Sequence, residues 1–216
     1  LNNINLFLDV GGHKGETIDL FCENFKIKKI ISFEASPKNF SILNSMKEKF
    51  KKKFSQTDIV IENLALGSQN KVVKIKEFDE SSSNTISEID QNSAYFKKKF
   101  RILNLFNKEK IFSETEIQVS KLFDYISRES LEKIDFLKID TEGSEFEILK
   151  GVEDEIRNIE IIYFEHHYDL MLKKNYKFRD INALLKKNNF KNVFKIKMPF
   201  RKVFEYIYIN EKKKTN

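Results

Sequence analysis

The feature that most restricts what this chain can become is a handover near its start: the apolar run Leu6-Phe7-Leu8-Asp9-Val10 passes directly into Gly11-Gly12-His13-Lys14-Gly15. A short, mostly apolar run ending in glycines is the mark of a strand buried on both faces, because a parallel strand covered by helices has no solvent side to carry many polar residues. A helix is expected next. Ile18, Phe21, Cys22 and Phe25 recur at i, i+3, i+4 and i+7 and make one apolar stripe that can cover a sheet.

The unit then repeats. Ile30 to Phe33 reads as a second strand, and Pro37 opens a helix with Ile42, Leu43, Met46, Phe50 and Phe54 on one face. A third strand is expected from Ile59 to Leu66, further strands at Val72 to Phe78 and Ile117 to Val119, and another from Ile134 to Ile139. The last of these is followed by a helix with Phe146, Leu149, Val152 and Ile156 apolar, a strand at Ile159 to Phe164, and a helix around Ile181, Leu184 and Leu185. Runs at Val193-Phe194 and Val203 to Ile209, joined through Pro199, read as a terminal hairpin. Alternation at this spacing predicts an α/β fold with a doubly wound, Rossmann-like sheet, mostly parallel with a C-terminal antiparallel hairpin. Residues 1–216 are expected to form one domain, with an irregular insertion at about 79–114. Within it, Ser81 to Asn84 and the basic-aromatic stretch Tyr95 to Phe106 follow neither period, the usual character of a lid or binding loop.

Charge and composition exclude several classes. No apolar run approaches the roughly 18 residues a membrane helix needs, and Leu1-Asn2-Asn3 enters the first strand without a secretory signal, so a cytoplasmic protein is expected. Cys22 is the single cysteine and reads as core filler, and the three histidines have no ligand spacing, so no metal is expected. The net charge of +6 comes from lysines spread along the whole chain, which makes a nucleic-acid partner unlikely on sequence grounds; the lysines of Lys47 to Phe54 surround an apolar helix face and read as its solvated side.

The glycine turn lies where open α/β sheets bind ligands. Glu34 ends the second strand 19 residues beyond Gly15, the distance at which an acid meets a ribose hydroxyl. Gly11, Gly12 and Gly15 match neither the dinucleotide pattern G-x-G-x-x-G nor a phosphate loop. Asp9 would repel a pyrophosphate but suits the sulfonium and ammonium groups of S-adenosyl-L-methionine. The bland alternative is a strand-to-helix turn with Asp9 as a cap.

Four ordered blocks resemble the FkbM-type methyltransferases of the class I S-adenosylmethionine-dependent superfamily: Asp9 to Thr17, Phe33 to Phe40, Asn63 to Gly67, and Leu137 to Glu145 continuing to Leu149-Lys150-Gly151. Glu165-His166 looks like the family's closing acid-histidine element. His13 and Gly12 stand where many members have Asn and Ala, and Ala35 stands where Pro is common. The resemblance implies that Asp9, Gly11, Gly12, His13 and Gly15 line the methionine end, that Glu34 with Ala35 holds the ribose, and that Asn63, Leu64 and Ala65 border the adenine.

It also implies methyl transfer to a hydroxyl of a saccharide or other small metabolite. Such an acceptor must lose a proton; His166 is the favoured base, with Asp140 and Glu142 as the other candidates, while His167 is expected on the surface. An alternative for Asp140 to Gly143 is a plain helix entry with acids at the positive end. Competing functions are a cofactor-binding interaction protein without catalysis, an NAD-dependent oxidoreductase and a nucleic-acid methyltransferase. The oligomeric state has no signature in the sequence.

Overall fold

In the computed structural model residues 3–78, 88–89, 112–168, 172–199 and 202–213 are described. The chain begins with β1 (Asn3–Val10), α1 (Glu16–Asn24), β2 (Lys26–Phe33), α2 (Pro37–Ser45), α3 (Lys47–Lys53) and β3 (Asp58–Glu62). It continues through β4 (Ala65–Gly67), β5 (Lys71–Phe78), β6 (Glu88–Ile89), β7 (Phe112–Lys121), α4 (Leu122–Arg128) and β8 (Ile134–Ile139). Then come α5 (Glu145–Lys150), a 3₁₀ helix (Glu153–Asn158), β9 (Ile159–His167), β10 (Leu172–Lys173), α6 (Phe178–Lys187), β11 (Phe190–Lys197) and β12 (Val203–Asn210).

The central sheet has the order β11-β12-β9-β8-β1-β2-β3. Strands β3, β2, β1, β8 and β9 are parallel, and β12 pairs antiparallel with both β9 and β11, as the terminal hairpin requires. The chain winds from β1 outward to β3 and later returns to lay β8 on the other side of β1. The connections leaving the tips of β1 and β8 therefore diverge, and that topological switch opens a crevice.

Alternating side chains fill the two layers, since successive strand residues face opposite ways. Leu6, Leu8, Val10, Leu137 and Ile162 pack under Leu122, Ile126, Leu149, Ile181 and Leu185. Phe7, Ile30, Phe136 and Ile161 pack against Ile18, Leu43 and Phe50 from the first three helices. Cys22 joins that second layer partly buried, and burial is the leading cause that pushes its thiol up to about 11, which suits core filler.

Three expectations need correction. The expected strand from Ile59 to Leu66 is two: β3 ends at Glu62, and β4 leaves for a separate sheet of order β4-β7-β5. Asn63 makes the break, because its amide donates to the Glu34 carbonyl at 2.8 Å and ties the corner to β2. The helix from Pro37 is divided at Met46, and Ile42 is exposed rather than on the buried face with Leu43 and Phe50. The helix carrying Phe146 to Ile156 stops at Lys150 and resumes as the 3₁₀ turn, with Leu149, Val152 and Ile156 still in the core. The stretches Ser81 to Asn84 and Tyr95 to Phe106 lie outside the described residues; within the expected insertion, β6 pairs antiparallel with β10. Among the described residues no helix is long and apolar enough to cross a membrane.

Candidate active site

A cavity of about 290 Å³ occupies the switch point. Its floor is the glycine turn. Gly11 and Gly12 both donate backbone N–H bonds to the Phe33 carbonyl, at 2.9 and 3.0 Å, which draws the turn against the tip of β2. Gly11 has φ +95°, and a Cβ there would collide with the Asp140 carbonyl, so only glycine lets β1 and β8 approach this closely. Gly15 has φ +96°, and a Cβ there would press on the Phe50 ring.

Glu34 stands at the nucleoside end. Its two oxygens accept from the His13 N–H at 2.7 Å and the Ser36 N–H at 2.8 Å, so one carboxylate fixes both strand-tip loops. Each oxygen keeps a further lone pair for a hydroxyl. Burial pushes its pKa up to about 7, against the pull of the two N–H donors. Phe33, Leu64, Leu66, Ile75 and Ile148 supply apolar walls wide enough in chemistry for a flat base.

Of the ten residues expected to bind cofactor, Gly11, Gly12, His13, Glu34, Ala35, Leu64 and Ala65 line the cavity, whereas Asp9, Gly15 and Asn63 do not. Gly15 and Asn63 shape loops. Asp9 is fully buried, and strand register explains its role: it lies beside Ser32 on β2 and Lys138 on β8. The Ser32 hydroxyl donates to it at 2.7 Å and the Lys138 ammonium is 3.6 Å away. Burial raises its pKa, with Lys138 pulling the other way. The acid read as the grip on a cationic ligand instead holds Lys138, which does line the cavity and also contacts Asp140 at 3.1 Å.

The far end is built by the turn after β8. Glu142 (φ +49°) and Gly143 (φ +105°) are both left-handed, and buried Glu145 clamps the turn by accepting the Gly143 N–H at 2.7 Å and a bond from Tyr176. Asp140, Thr141 and Glu142 thereby face the cavity. Beside them stand Glu165 and His167 of β9, the His167 Nε2 lying 2.8 Å from Glu165 Oε1 and 3.3 Å from Glu142 Oε2.

The two histidines exchange the places expected for them. His167 is only 6% exposed and sits among the carboxylates, not on the surface. His166 points to the opposite face of the strand, away from the cavity lining, with its ring 4.8 Å from Tyr168 and 5.9 Å from both Tyr176 and Phe178. Burial first, then the positive charges of Lys174 and His167, lowers its pKa to about 3, so the ring is neutral. Strand alternation puts Glu165 and His167 on one face at spacing two and His166 on the other. Lys138 was readable as one of two charged residues, with Asp135, inside a strand whose other residues are apolar.

The methyltransferase FkbM domain matches residues 9–191. No curated protein matches the chain. Among solved structures, the methyltransferase FkbM from Methylobacillus flagellatus KT is similar in fold, with TM-score 0.61 and 15% identity over 96% of this chain and 44% of that one, so the present chain spans less than half of its length. TrmK from M. capricolum, in complex with S-adenosyl-homocysteine, has TM-score 0.47 and 12% identity over 97% of this chain and 63% of that one. The match from 9 to 191 takes in the glycine turn, the tip of β2, the Asp140 turn and all of β9, and on it the chain belongs to the FkbM methyltransferase domain family.

Proposed function

We propose that this chain is an S-adenosylmethionine-dependent O-methyltransferase whose acceptor is a hydroxyl of a saccharide or other small metabolite. The observation that carries the reading is a cavity with an acid at each end: Glu34 toward the nucleoside side and Asp140 with Glu142 toward the other, separated by apolar walls. A phosphate-bearing dinucleotide would meet carboxylates where it needs donors, whereas an adenosyl cation meets acceptors for its ribose hydroxyls and its positive charge.

The residues present fit that cofactor. Leu64, Ala65 and Leu66 with Phe33 suit the adenine, Glu34 the ribose, and the Gly11 to His13 turn the amino-acid tail. When bound, the cofactor supplies a methyl group on a positively charged sulfur, which departs as a neutral thioether while the acceptor oxygen gains the methyl and releases its proton. Alignment and exclusion of water are then the protein's main tasks. Asp140 is the carboxylate placed to take the proton, held at the cavity mouth by Lys138, and Glu142 is engaged by His167. His166, packed among aromatic rings off the cavity, has a structural part in this scheme.

Calorimetric titration with S-adenosylhomocysteine and, separately, NADH tests the cofactor; heat with the first and none with the second is expected. Mass spectrometry of a hydroxyl-compound panel incubated with S-adenosylmethionine then tests transfer. Absence of S-adenosylhomocysteine binding, or binding of NADH instead, overturns the reading.

A further inference from the structure

We infer that Glu142, Glu165 and His167 form a binding site for one divalent cation at the acceptor end of the cavity, a site that the sequence spacing does not signal. The inference rests on the methyl-transfer reading only for the purpose it gives the cation, not for the site itself.

Three donor atoms converge: one carboxylate oxygen from each glutamate and a ring nitrogen of His167, all within 4.8 Å of one another. The His167 Nε2 edges of that triangle are 2.8 Å to Glu165 and 3.3 Å to Glu142. A first-row divalent ion bound about 2.1 Å from each donor holds neighbouring ligands about 3 Å apart, so a cation fits between these atoms with little movement. Hydrogen bonding explains the arrangement less well. An imidazole nitrogen carries at most one hydrogen, aimed in one direction, and here two carboxylate oxygens approach the same nitrogen from different elements.

The backbone that presents the donors is fixed on both sides. Glu165 and His167 lie on one face at the C-terminal end of β9, beyond its pairing with β8, and each is paired with β12. Glu142 sits in the turn clamped by Glu145, in a left-handed conformation that non-glycine residues rarely adopt. The charged surroundings are mixed: Glu205 lies opposite Glu165 on β12, Lys138 is shared between Asp9 and Asp140, and the Lys174 ammonium donates to the His167 backbone carbonyl. The next cavity-lining residue, Thr141, has a buried hydroxyl with no hydrogen-bond partner among the described residues. One imidazole and two carboxylates make a mixed nitrogen-oxygen set suited to Mn²⁺, Fe²⁺ or Zn²⁺, and Glu142 joins it to the cavity that it lines.

The purpose follows from what the cavity lacks. With His166 on the other face of the sheet, the bases beside the acceptor are carboxylates, which are weak toward an alcohol. A cation on the acceptor oxygen lowers the alcohol's pKa and fixes its position. Acceptors with two adjacent oxygens, such as vicinal diols, would chelate it and are the substrate class this site selects.

Mn²⁺ is the probe. Titration of the whole chain, followed by loss of the free Mn²⁺ electron paramagnetic resonance signal, is expected to show one ion bound per chain. Glu165→Gln and His167→Gln should each weaken binding by at least about 10-fold, while Glu48→Gln, in an exposed ion pair on α3 away from the cavity, should leave it intact. Thermal unfolding and S-adenosylhomocysteine affinity of each variant show that it is folded. An undiminished free Mn²⁺ signal in a protein that binds S-adenosylhomocysteine overturns the metal site alone. Mn²⁺ bound without any S-adenosylhomocysteine binding leaves the site standing and removes the methyltransferase reading. Mn²⁺ binding kept undiminished in both β9 variants also overturns the site.

Discussion

Glu34 offers a prediction with a calculable size. Its pKa is pushed up to about 7 by burial, outweighing the N–H bonds from Ser36 and His13 that favour the charged form. Ribose hydroxyls that donate to it need the carboxylate, because a protonated acid offers one acceptor fewer. In the free protein the ionised fraction is then about one-eleventh at pH 6 and about ten-elevenths at pH 8, and apparent affinity scales with the competent fraction. The dissociation constant for S-adenosylhomocysteine should therefore fall about 10-fold from pH 6 to pH 8, most of it below pH 7. Binding near pH 6 should release close to one proton, detectable as a dependence of calorimetric heat on buffer ionisation enthalpy. The Glu34→Gln variant should lose the slope as well as affinity. A flat profile in the parent protein, or an unchanged slope in the variant, refutes the assignment of Glu34 to the ribose.

The sign of the accompanying stability effect follows from the same shift. The native state holds this proton more tightly than the unfolded chain, so the contribution is fully present below about pH 4.5 and is lost as pH rises through about 7. The shift of about two and a half units corresponds to about 3 kcal/mol. Bound ligand should reduce that loss, and chemical denaturation with and without S-adenosylhomocysteine at pH 5 and pH 8 measures it.

Three further outcomes are expected. Gly15→Ala puts a Cβ against Phe50 at φ +96°, so it should lower stability by about 2–4 kcal/mol, read as a fall in melting temperature on the order of 10 °C; an unchanged transition would contradict the packing. Lys138→Met leaves Asp9 buried without its cation and should cost about 3–5 kcal/mol in urea unfolding, while adding Asp9→Asn should recover at least about 1 kcal/mol. If the two changes simply add, the pair is not coupled. His166→Phe replaces a ring whose Nδ1 is buried without a hydrogen-bond partner among the described residues, so stability should hold or rise and S-adenosylhomocysteine affinity should stay within about twofold; loss of binding would return His166 to the site.

What was legible in the sequence was whatever a period or a turn residue encodes. The parallel strands announced themselves because Leu6 to Val10 and Ile134 to Ile139 are apolar runs bounded by glycine or acid, and the hairpin because Pro199 separates two β-rich runs. Legibility failed where a long-range bond redirected the chain. Nothing local distinguishes Ile59 to Leu66 from one strand; the break depends on Asn63 reaching the Glu34 carbonyl, a contact between residues far apart in the chain.

The site divides along the same line. Glu34 lines the cavity, and its distance from Gly15 reflects the length of one helix and one strand, a local quantity. Asp9 was weighed against a ligand from its charge, whereas register sets it between Ser32 and Lys138, outside the cavity lining, with its Oδ1 buried and without a hydrogen-bond partner among the described residues. The histidines show the sharper lesson. A strand assigns alternate residues to opposite layers, so of two adjacent histidines only one can reach a given face, and the sequence alone does not say which. The answer came from β12: its pairing with β9 places Glu205 beside Glu165 and Phe204 beside His166, so the charged residues share one face and the aromatic ones the other. Among the described residues the hairpin supplies none of the cavity lining, yet its pairing holds the strand that carries Glu165 and His167.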